Sequence, residues 1–513
     1  DDGDKLPESE QPEIPPQVAV KFFNRRVHPE NIIPLGVSGA GKYYLIIRME
    51  KRTGAGRVWG SGRGVFVLYA LFAGVLALYH APWRDEALHW LITRDLSLAG
   101  IFAQMGYEGT PALWHLLLFP FAKAGLPYFS MTALNLAVML CAVFVFLKYS
   151  PFSRLEKTLA VFGYYFIFEY AVIARSYALT VLLLFSAAAL YSRRFERGWL
   201  YAFTVFLLAN TNAHGAALSV VLMAAYAAET LRRPAKNFKP ALLMAAGIAL
   251  AVWQLLPPED IAPISRQWYF VFSGERLGYV LDSVVAAFLP LPAPSAHFWN
   301  TLLVYTPGGW AGWLALPLFA LCAALLRRSG APLLIFLGSC AGLFSIFYFK
   351  YGGFIRHYGL VWIMFLFCLW ISRGEKQDLP PFWKRAAFIF LLAMQVMAGV
   401  IAAALSLSLE FSQGRSTAQF LREKVLSADT LVAAYPCFTA QSVIPYLPKP
   451  QSKLYFPEYG EFRSFLLSNR RYQENCNLPL AEVVRRVEAA QKEGGYKNAY
   501  LLLNIKASSP EFL

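Results

Sequence analysis

Charged residues are scarce in this chain of 513 residues, making up 15% of the sequence against 57% hydrophobic residues. This composition excludes an ordinary soluble domain, in which about a quarter of the residues are charged. Several apolar stretches of roughly 16–22 residues approach or exceed the length that crosses about 30 Å of hydrocarbon. The sequence therefore predicts a polytopic α-helical membrane protein.

Motifs of common soluble enzymes are also missing. The sequence has no serine nucleophile elbow, no glycine-rich dinucleotide loop and no zinc-ligand spacing of Cys and His. Segment 36–43 (GVSGAGKY) resembles a phosphate-binding loop, but Tyr43 stands where that loop needs Ser or Thr to hold magnesium. We interpret the segment as a glycine turn, which leaves no site for an ATP-driven cytoplasmic reaction.

Positive charge, in contrast, is plentiful, with a net charge of +15. The Lys and Arg residues cluster in short segments between apolar runs, which is the pattern of cytoplasmic loops. Arg48, Lys51, Arg52 and Arg57 precede the first apolar run, so the N-terminus is predicted to lie inside. About eleven spans satisfy this rule. They lie near 64–81, 128–148, 157–173, 177–192, 198–213, 215–231, 240–256, 309–326, 331–349, 358–372 and 386–406.

Segment 111–126 is apolar but does not fit this topology. It is short and interrupted by Pro111, His115, Pro120 and Lys123, and counting it as a span would place the later basic clusters outside. We interpret it as an amphipathic or re-entrant surface helix on the outer face. The C-terminus is then predicted to lie outside.

The two ends of the chain differ in character from the centre. Residues 1–62 are predicted to be cytoplasmic and partly disordered, since residues 1–18 are acidic and proline-rich. Residues 408–513 predict a small extracytoplasmic α/β domain, with strands near 430–435, 453–456 and 499–505 and helices near 417–426 and 480–492. Cys437 and Cys476 lie in this domain, and the sequence leaves open whether they pair.

Two adjacent carboxylates, Asp85 and Glu86, follow Arg84 where the first apolar run ends. Charge near hydrocarbon must stay solvated or find a partner, so the pair is a candidate site. Such carboxylates can bind a divalent cation, Mg²⁺ or Mn²⁺, or take a proton from an attacking hydroxyl. A solvated helix start is the alternative, because acids suit the helix dipole there. The sequence leaves open which of the two is the base.

Other ionisable and aromatic residues fall on the same predicted outer face. Arginines at a membrane boundary suit a phosphate or diphosphate, because the guanidinium fork matches its oxygens. Snorkelling from a span end is the alternative interpretation. The further candidate site residues are the carboxylate Glu108 and the substrate contacts Arg84, Arg175, Tyr177, His214, Arg356 and His357.

Three stretches carry a resemblance to a known superfamily. Residues 84–86 (RDE), 107–114 (YEGTPALW) and 169–179 (EYAVIARSYAL) look like the acidic first loop, its proline-led second part and the second outer loop of the GT-C membrane glycosyltransferases. The resemblance extends over roughly residues 64–400. The superfamily includes protein O-mannosyltransferases and lipid A aminoarabinose transferases, and the chain also resembles a set of uncharacterised bacterial membrane proteins. Many members carry an acidic residue in the second outer loop, where this chain has Arg175, with Glu169 as the nearest carboxylate.

The resemblance implies inverting transfer of a sugar from a polyprenyl phosphate or diphosphate to a lipid, glycan or protein acceptor. The reaction would take place on the outer face of a bacterial inner membrane, with Asp85 facing the acceptor or a metal ion. A transporter or flippase of a charged lipid or solute is the alternative, since it would use the same cavity without chemistry. An assembly protein would need none of the membrane-face arginines. No nucleic-acid partner is expected, because the loops account for the positive charge.

Overall fold

The computed structural model describes residues 32–38, 42–47, 55–232, 237–295, 298–303, 310–327, 330–375, 381–448 and 452–504. The chain separates into two compact units, Asp1–Val58 and Trp59–Leu513. In the first unit, strands β1 (Ile32–Ser38) and β2 (Lys42–Ile47) form an antiparallel pair. The predicted disordered stretch 1–18 lies outside the described residues, as does the centre of the glycine-rich segment 36–43.

Within the described residues, six helices are long and apolar enough to cross a membrane. They are Gly62–Tyr79 of α1 (Ala55–Tyr79), α5 (Phe129–Tyr149), α9 (Ala213–Leu231), α14 (Gly330–Phe349), α15 (Ile355–Glu375) and α16 (Phe382–Ser408). Shorter apolar helices are α7 (Tyr177–Leu190), α8 (Gly198–Ala209), α10 (Lys239–Leu255) and α13 (Ala315–Leu326). The chain is therefore a helical membrane protein, as predicted, whereas the count of about eleven spans stays a prediction.

The predicted span 157–173 is not one helix. Helix α6 (Arg154–Val161) ends early, and a single π-helical turn follows at Tyr165–Glu169. Helix α16 packs closely against this break. A Cβ added to Gly163 would lie 3.0 Å from Gln395 of α16, and a Cβ added to Gly399 of α16 would lie only 2.7 Å from the Phe162 carbonyl oxygen. Hydropathy cannot reveal such a break, since the interrupted segment is as apolar as a continuous helix.

The segment predicted as a surface helix forms α4 (Leu113–Lys123). Its 11 residues extend about 16 Å, which is too short to cross a bilayer core of about 30 Å. Trp114, His115, Leu118 and Ala122 are its buried residues. Together with α2 (Arg84–Asp95) and α3 (Leu98–Glu108), α4 forms the loop between α1 and α5. The position of α4 on the outer membrane surface stays a prediction.

The C-terminal tail contains the predicted small sheet, with strand order β5-β4-β3-β6. Strands β4 (Leu454–Phe456) and β6 (Asn498–Leu503) both pair in parallel with β3 (Thr430–Tyr435), and β5 (Glu461–Arg463) pairs antiparallel with β4. The helices of the tail are α17 (Gly414–Lys424), α18 (Cys437–Ala440), α19 (Arg470–Asn475) and α20 (Leu480–Glu493). The remaining described α-helices are α11 (Pro263–Arg266) and α12 (Gly274–Phe288), and short 3-10 helices lie at Tyr191–Arg193, Trp310–Leu314 and Ile444–Tyr446.

The tail shares a hydrophobic core with the loop after α1. Val432 and Ile444 of the tail belong to one buried cluster with Trp90 of α2 and Leu118 of α4. The sheet therefore sits directly on the helices that carry the acidic motif. Cys437 and Cys476 are both free thiols, Cys437 buried and Cys476 half-buried.

Candidate functional site

Predicted site residues from three distant segments meet around Asp85, in the first turn of α2. Arg175 Nη1 donates to Asp85 Oδ2 at 2.6 Å, and Arg356 Nη2 donates to the same oxygen at 3.1 Å. Arg84 Nε lies 3.6 Å from Asp85 Oδ1. We call these four residues the Asp85 cluster. With three positive charges and one negative charge, the cluster carries a net charge of +2.

The charge state of Asp85 follows from these neighbours. Burial raises the pKa of Asp85, but Arg175, Arg356 and Arg84 together outweigh burial and hold the pKa below its usual range. An opposite charge within about 4–6 Å stabilises an ionised carboxylate in this way. Asp85 is therefore ionised at neutral pH and holds the guanidinium groups together, which makes it a poor general base.

The arginines of the cluster keep unused hydrogen-bond donors. Among the described residues, neither Arg175 Nε nor Arg356 Nε has a hydrogen-bond partner, and both atoms are buried. Arg175 lies two residues before the start of α7, and Arg356 lies in the first turn of α15. At both helix N-termini the helix dipole favours anions over cations. Unpaired buried donors and an excess of positive charge are both unfavourable without a ligand. The arrangement suits an anion such as phosphate.

Glu86 faces away from the cluster. Its Oε1 accepts the Ala174 N–H at 2.6 Å, while Oε2 accepts the Trp83 N–H at 3.0 Å and lies 2.9 Å from His80 Nε2. The residue is fully buried. It therefore caps the first turn of α2 and ties the second loop to the first. These hydrogen bonds give Glu86 a structural role, and its catalytic or metal-binding role stays a prediction.

The predicted Mg²⁺ or Mn²⁺ site at Asp85 and Glu86 does not fit this geometry. The two carboxylates have different partners, because adjacent residues of a helix point about 100° apart. The guanidinium groups around Asp85 would also repel a cation. Across the described ranges, no group of three or more His, Cys, Asp or Glu side chains is placed to hold a metal ion.

Glu108 is the last residue of α3, which ends because Gly109 adopts the left-handed φ of 63°. Gln104 Nε2 donates to Glu108 Oε1 at 2.9 Å. Burial raises the pKa of Glu108 to about 7; the Gln104 hydrogen bond and Arg175 oppose this rise, and Asp85 adds to it. A carboxyl group with this pKa exchanges protons readily at neutral pH. Of the three predicted carboxylates, Glu108 is best suited to act as a base.

The predicted residues Tyr177, His214 and His357 lie beside Arg356. The Tyr177 hydroxyl interacts electrostatically with the Arg356 side chain. The rings of His214 and His357 stack with their centroids 4.6 Å apart, and the ring of Tyr177 lies 5.7 Å from that of His357. The tertiary structure thus brings these residues and the Asp85 cluster together.

Sequence reasoning missed two aromatic residues of the site. Arg356 Cζ lies 5.4 Å from the centroid of the Trp83 ring, and Tyr351 Oη lies 3.1 Å from His214 Nε2. Both residues lie near the ends of apolar runs, where Trp and Tyr are common interfacial residues. The sequence therefore carries no signal that separates them from an aromatic belt.

Two cavities adjoin the site through different residues. The first, the tyrosine cavity, has a volume of about 460 Å³ and is lined by Tyr269, Arg276, Tyr279, Lys350, Tyr351, Gly352, Gly353 and Tyr358. The second, the tail cavity, has a volume of about 840 Å³ and includes Trp83 and Arg84 in its wall. Tyr351 connects the first cavity with His214, and Arg84 connects the second with Asp85.

No family model matches the chain, and neither a curated protein nor a solved structure matches it.

Proposed function

We propose that this protein transfers a sugar from a polyprenyl phosphate or diphosphate to a lipid, glycan or protein acceptor. The observation that carries the proposal is the Asp85 cluster, in which Arg84, Arg175 and Arg356 share a single carboxylate. The cluster lies at helix ends, the level at which a membrane lipid presents its phosphate. Its excess positive charge and forked guanidinium groups suit such a phosphate. The GT-C resemblance supports the same substrate class.

In the proposed reaction the acceptor hydroxyl oxygen attacks the anomeric carbon of the donor from the face opposite the phosphate. The bond between the anomeric carbon and the phosphate oxygen breaks, and its electron pair leaves with the polyprenyl phosphate. Glu108 takes the hydroxyl proton, since its pKa of about 7 suits a base at neutral pH. Attack from the opposite face inverts the anomeric configuration.

Arg175 and Arg356 stabilise the negative charge that grows on the phosphate oxygen as this bond breaks. Asp85 holds both guanidinium groups in place through Oδ2. No step requires a metal ion held by Asp85 and Glu86.

The test uses purified protein in lipid nanodiscs with a panel of radiolabelled polyprenyl-phosphate sugars and an extract of bacterial membrane lipids and glycans. We expect conversion of at least one donor by the wild type and its loss in Arg356→Lys. Arg373→Lys is the matched control, because Arg373 lies on the same helix but pairs with Glu156 at 2.9 Å. If labelled donor crosses the membrane of vesicles without conversion, the protein is a transporter and the proposal fails.

A further inference from the structure

The tail cavity lies where the C-terminal sheet meets the Asp85 cluster. Its wall is built from Trp83 and Arg84 of the first loop, Trp299 and Asn300, the connection between α16 and α17, and two segments of the tail. The tail segments are residues 439–443 and 502–504. Its volume of about 840 Å³ falls within the range of roughly 300–1,000 Å³ that small-molecule sites occupy.

The topology of the sheet independently indicates a ligand site at the tail cavity. Strands β4 and β6 pair in parallel with opposite edges of β3. The chain therefore passes from β3 to β4 on one side of β3, and the last strand, β6, lies on the other side. Ligands of such sheets bind in the crevice outside the carboxyl ends of the strands, at this switch point. Residues 439–443 follow β3 and residues 502–504 end β6, so the tail cavity occupies that crevice.

The wall of the cavity combines the half-buried ring of Trp83 with neutral polar groups. The rings of Trp299 and Phe411 are buried and stack on each other with centroids 4.0 Å apart, and the Trp83 ring lies 6.2 Å from that of Trp299, which supports it from the protein side. Asn300, Gln413, Thr417, Thr439, Ser442 and Asn504 contribute amides and hydroxyls. Aromatic rings pack on the apolar face of a pyranose ring, and amides and hydroxyls bond its hydroxyl groups. An acyl chain would need an uninterrupted apolar wall.

The charged residues of the wall also favour a neutral ligand. Arg84 and Glu410 contribute one charge of each sign, and Glu410 Oε1 already accepts the Ser416 hydroxyl at 2.6 Å.

We infer that the tail cavity binds a neutral pyranose glycan. Arg84 lines the cavity and lies 3.6 Å from Asp85, so a bound glycan has one end next to the phosphate-binding arginines. The glycan is therefore the acceptor of the transfer, an assignment that rests on the proposed function, whereas glycan binding itself does not. The acceptor class narrows from lipid, glycan or protein to a saccharide.

The experiment measures direct binding of maltotriose, chitotriose and mannotriose to the full-length protein in nanodiscs by saturation-transfer difference NMR and titration. We expect at least one trisaccharide to bind the wild type and to bind at least about tenfold more weakly to the double variant Gln413→Ala/Asn504→Ala, because truncated amides lose their sugar hydrogen bonds. Gln419→Ala is the matched control, since Gln419 lies in the same tail and bonds Glu423 rather than the cavity.

Two results would overturn the inference: no trisaccharide binds the wild type, or the double variant binds as well as Gln419→Ala. Thermal unfolding of each variant checks that the tail remains folded. Arg356→Lys separates the two proposals, because this variant is expected to lose transfer and keep trisaccharide binding. If the wild type binds a trisaccharide but converts no donor, the inference stands and the proposed transfer fails.

Discussion

Helix α15 carries an arginine near each end, and the two have different surroundings. Arg373 pairs with Glu156 at 2.9 Å, one cation with one carboxylate. Arg356, at the other end, shares Asp85 with Arg175 and Arg84. Position at a span end therefore does not make an arginine functional. The difference lies in charge balance: the pair at Arg373 is neutral, whereas the Asp85 cluster keeps positive charge for a ligand.

Two glutamates at helix starts, Glu156 and Glu86, can be compared in the same way. Glu156 accepts the N–H of Ser153 at 2.8 Å, and Glu86 accepts that of Trp83 at 3.0 Å. Both side chains cap the first turn of a helix and are committed to structure. Asp85 precedes Glu86 by one residue and points to the arginines instead. Acidic residues at a helix start can thus be caps or site residues, depending on which face they occupy.

The largest effect is expected at Glu108. Replacing it with Gln removes the proposed base and should lower transfer by about 10²–10⁴-fold. Because the base acts when deprotonated, wild-type transfer should rise with pH through about 7, the pKa of Glu108. The variant should lose this dependence, as measured by a pH profile of kcat/KM.

Gln104→Leu sharpens this prediction. The Gln104 hydrogen bond lowers the pKa of Glu108, so its removal should shift the rising limb to higher pH. An unchanged pH profile in both variants would remove Glu108 from the mechanism.

The next largest effect on transfer is expected at Arg356, and Arg373 at the other end of α15 provides the comparison. Arg356→Lys keeps the charge but loses the guanidinium fork, and we expect kcat/KM to fall by about 10²–10³-fold, as for a lost transition-state donor. Arg373→Lys should leave kcat/KM within about threefold, since that end holds no substrate. Equal losses in the two variants would mean that Arg356 acts only through helix packing.

The two capping glutamates should affect stability rather than transfer. Glu86→Gln and Glu156→Gln each place an amide where the carboxylate accepts backbone hydrogen bonds, and we expect each to lower the free energy of unfolding by about 1–3 kcal/mol. Thermal unfolding in detergent would measure the change. Should Glu86→Gln abolish transfer with an unchanged melting temperature, Glu86 would return to the catalytic site.

The smallest effect concerns anion binding by the free protein. Inorganic pyrophosphate at ten times its Kd should stabilise the wild type by about 1.4 kcal/mol through binding to the folded state. The gain should disappear in Arg175→Lys, because the fork that binds two oxygens is lost, and persist in Arg373→Lys. A similar rise in Tm in all three proteins would place the anion outside the Asp85 cluster.

Local patterns predicted much of the fold. The strand at 430–435 appears as β3, and the surface-helix segment forms the short α4. The three-residue strand β5 gives too little alternation to be recognised. The predicted span 157–173 is wrong as a single helix, because the break depends on contact with Gln395 and Gly399 of a distant helix.

Hydropathy and side-chain chemistry are properties of neighbouring residues, so the sequence alone was enough to identify a membrane protein, its acidic motif and arginines suited to phosphate. It could not distinguish Asp85 from Glu86. That distinction arises from contacts with Arg175 and Arg356, which lie 90 and 271 positions further along the chain. The charge balance of the site and the tail cavity likewise form only when remote segments pack together, which is why they belong to the tertiary structure.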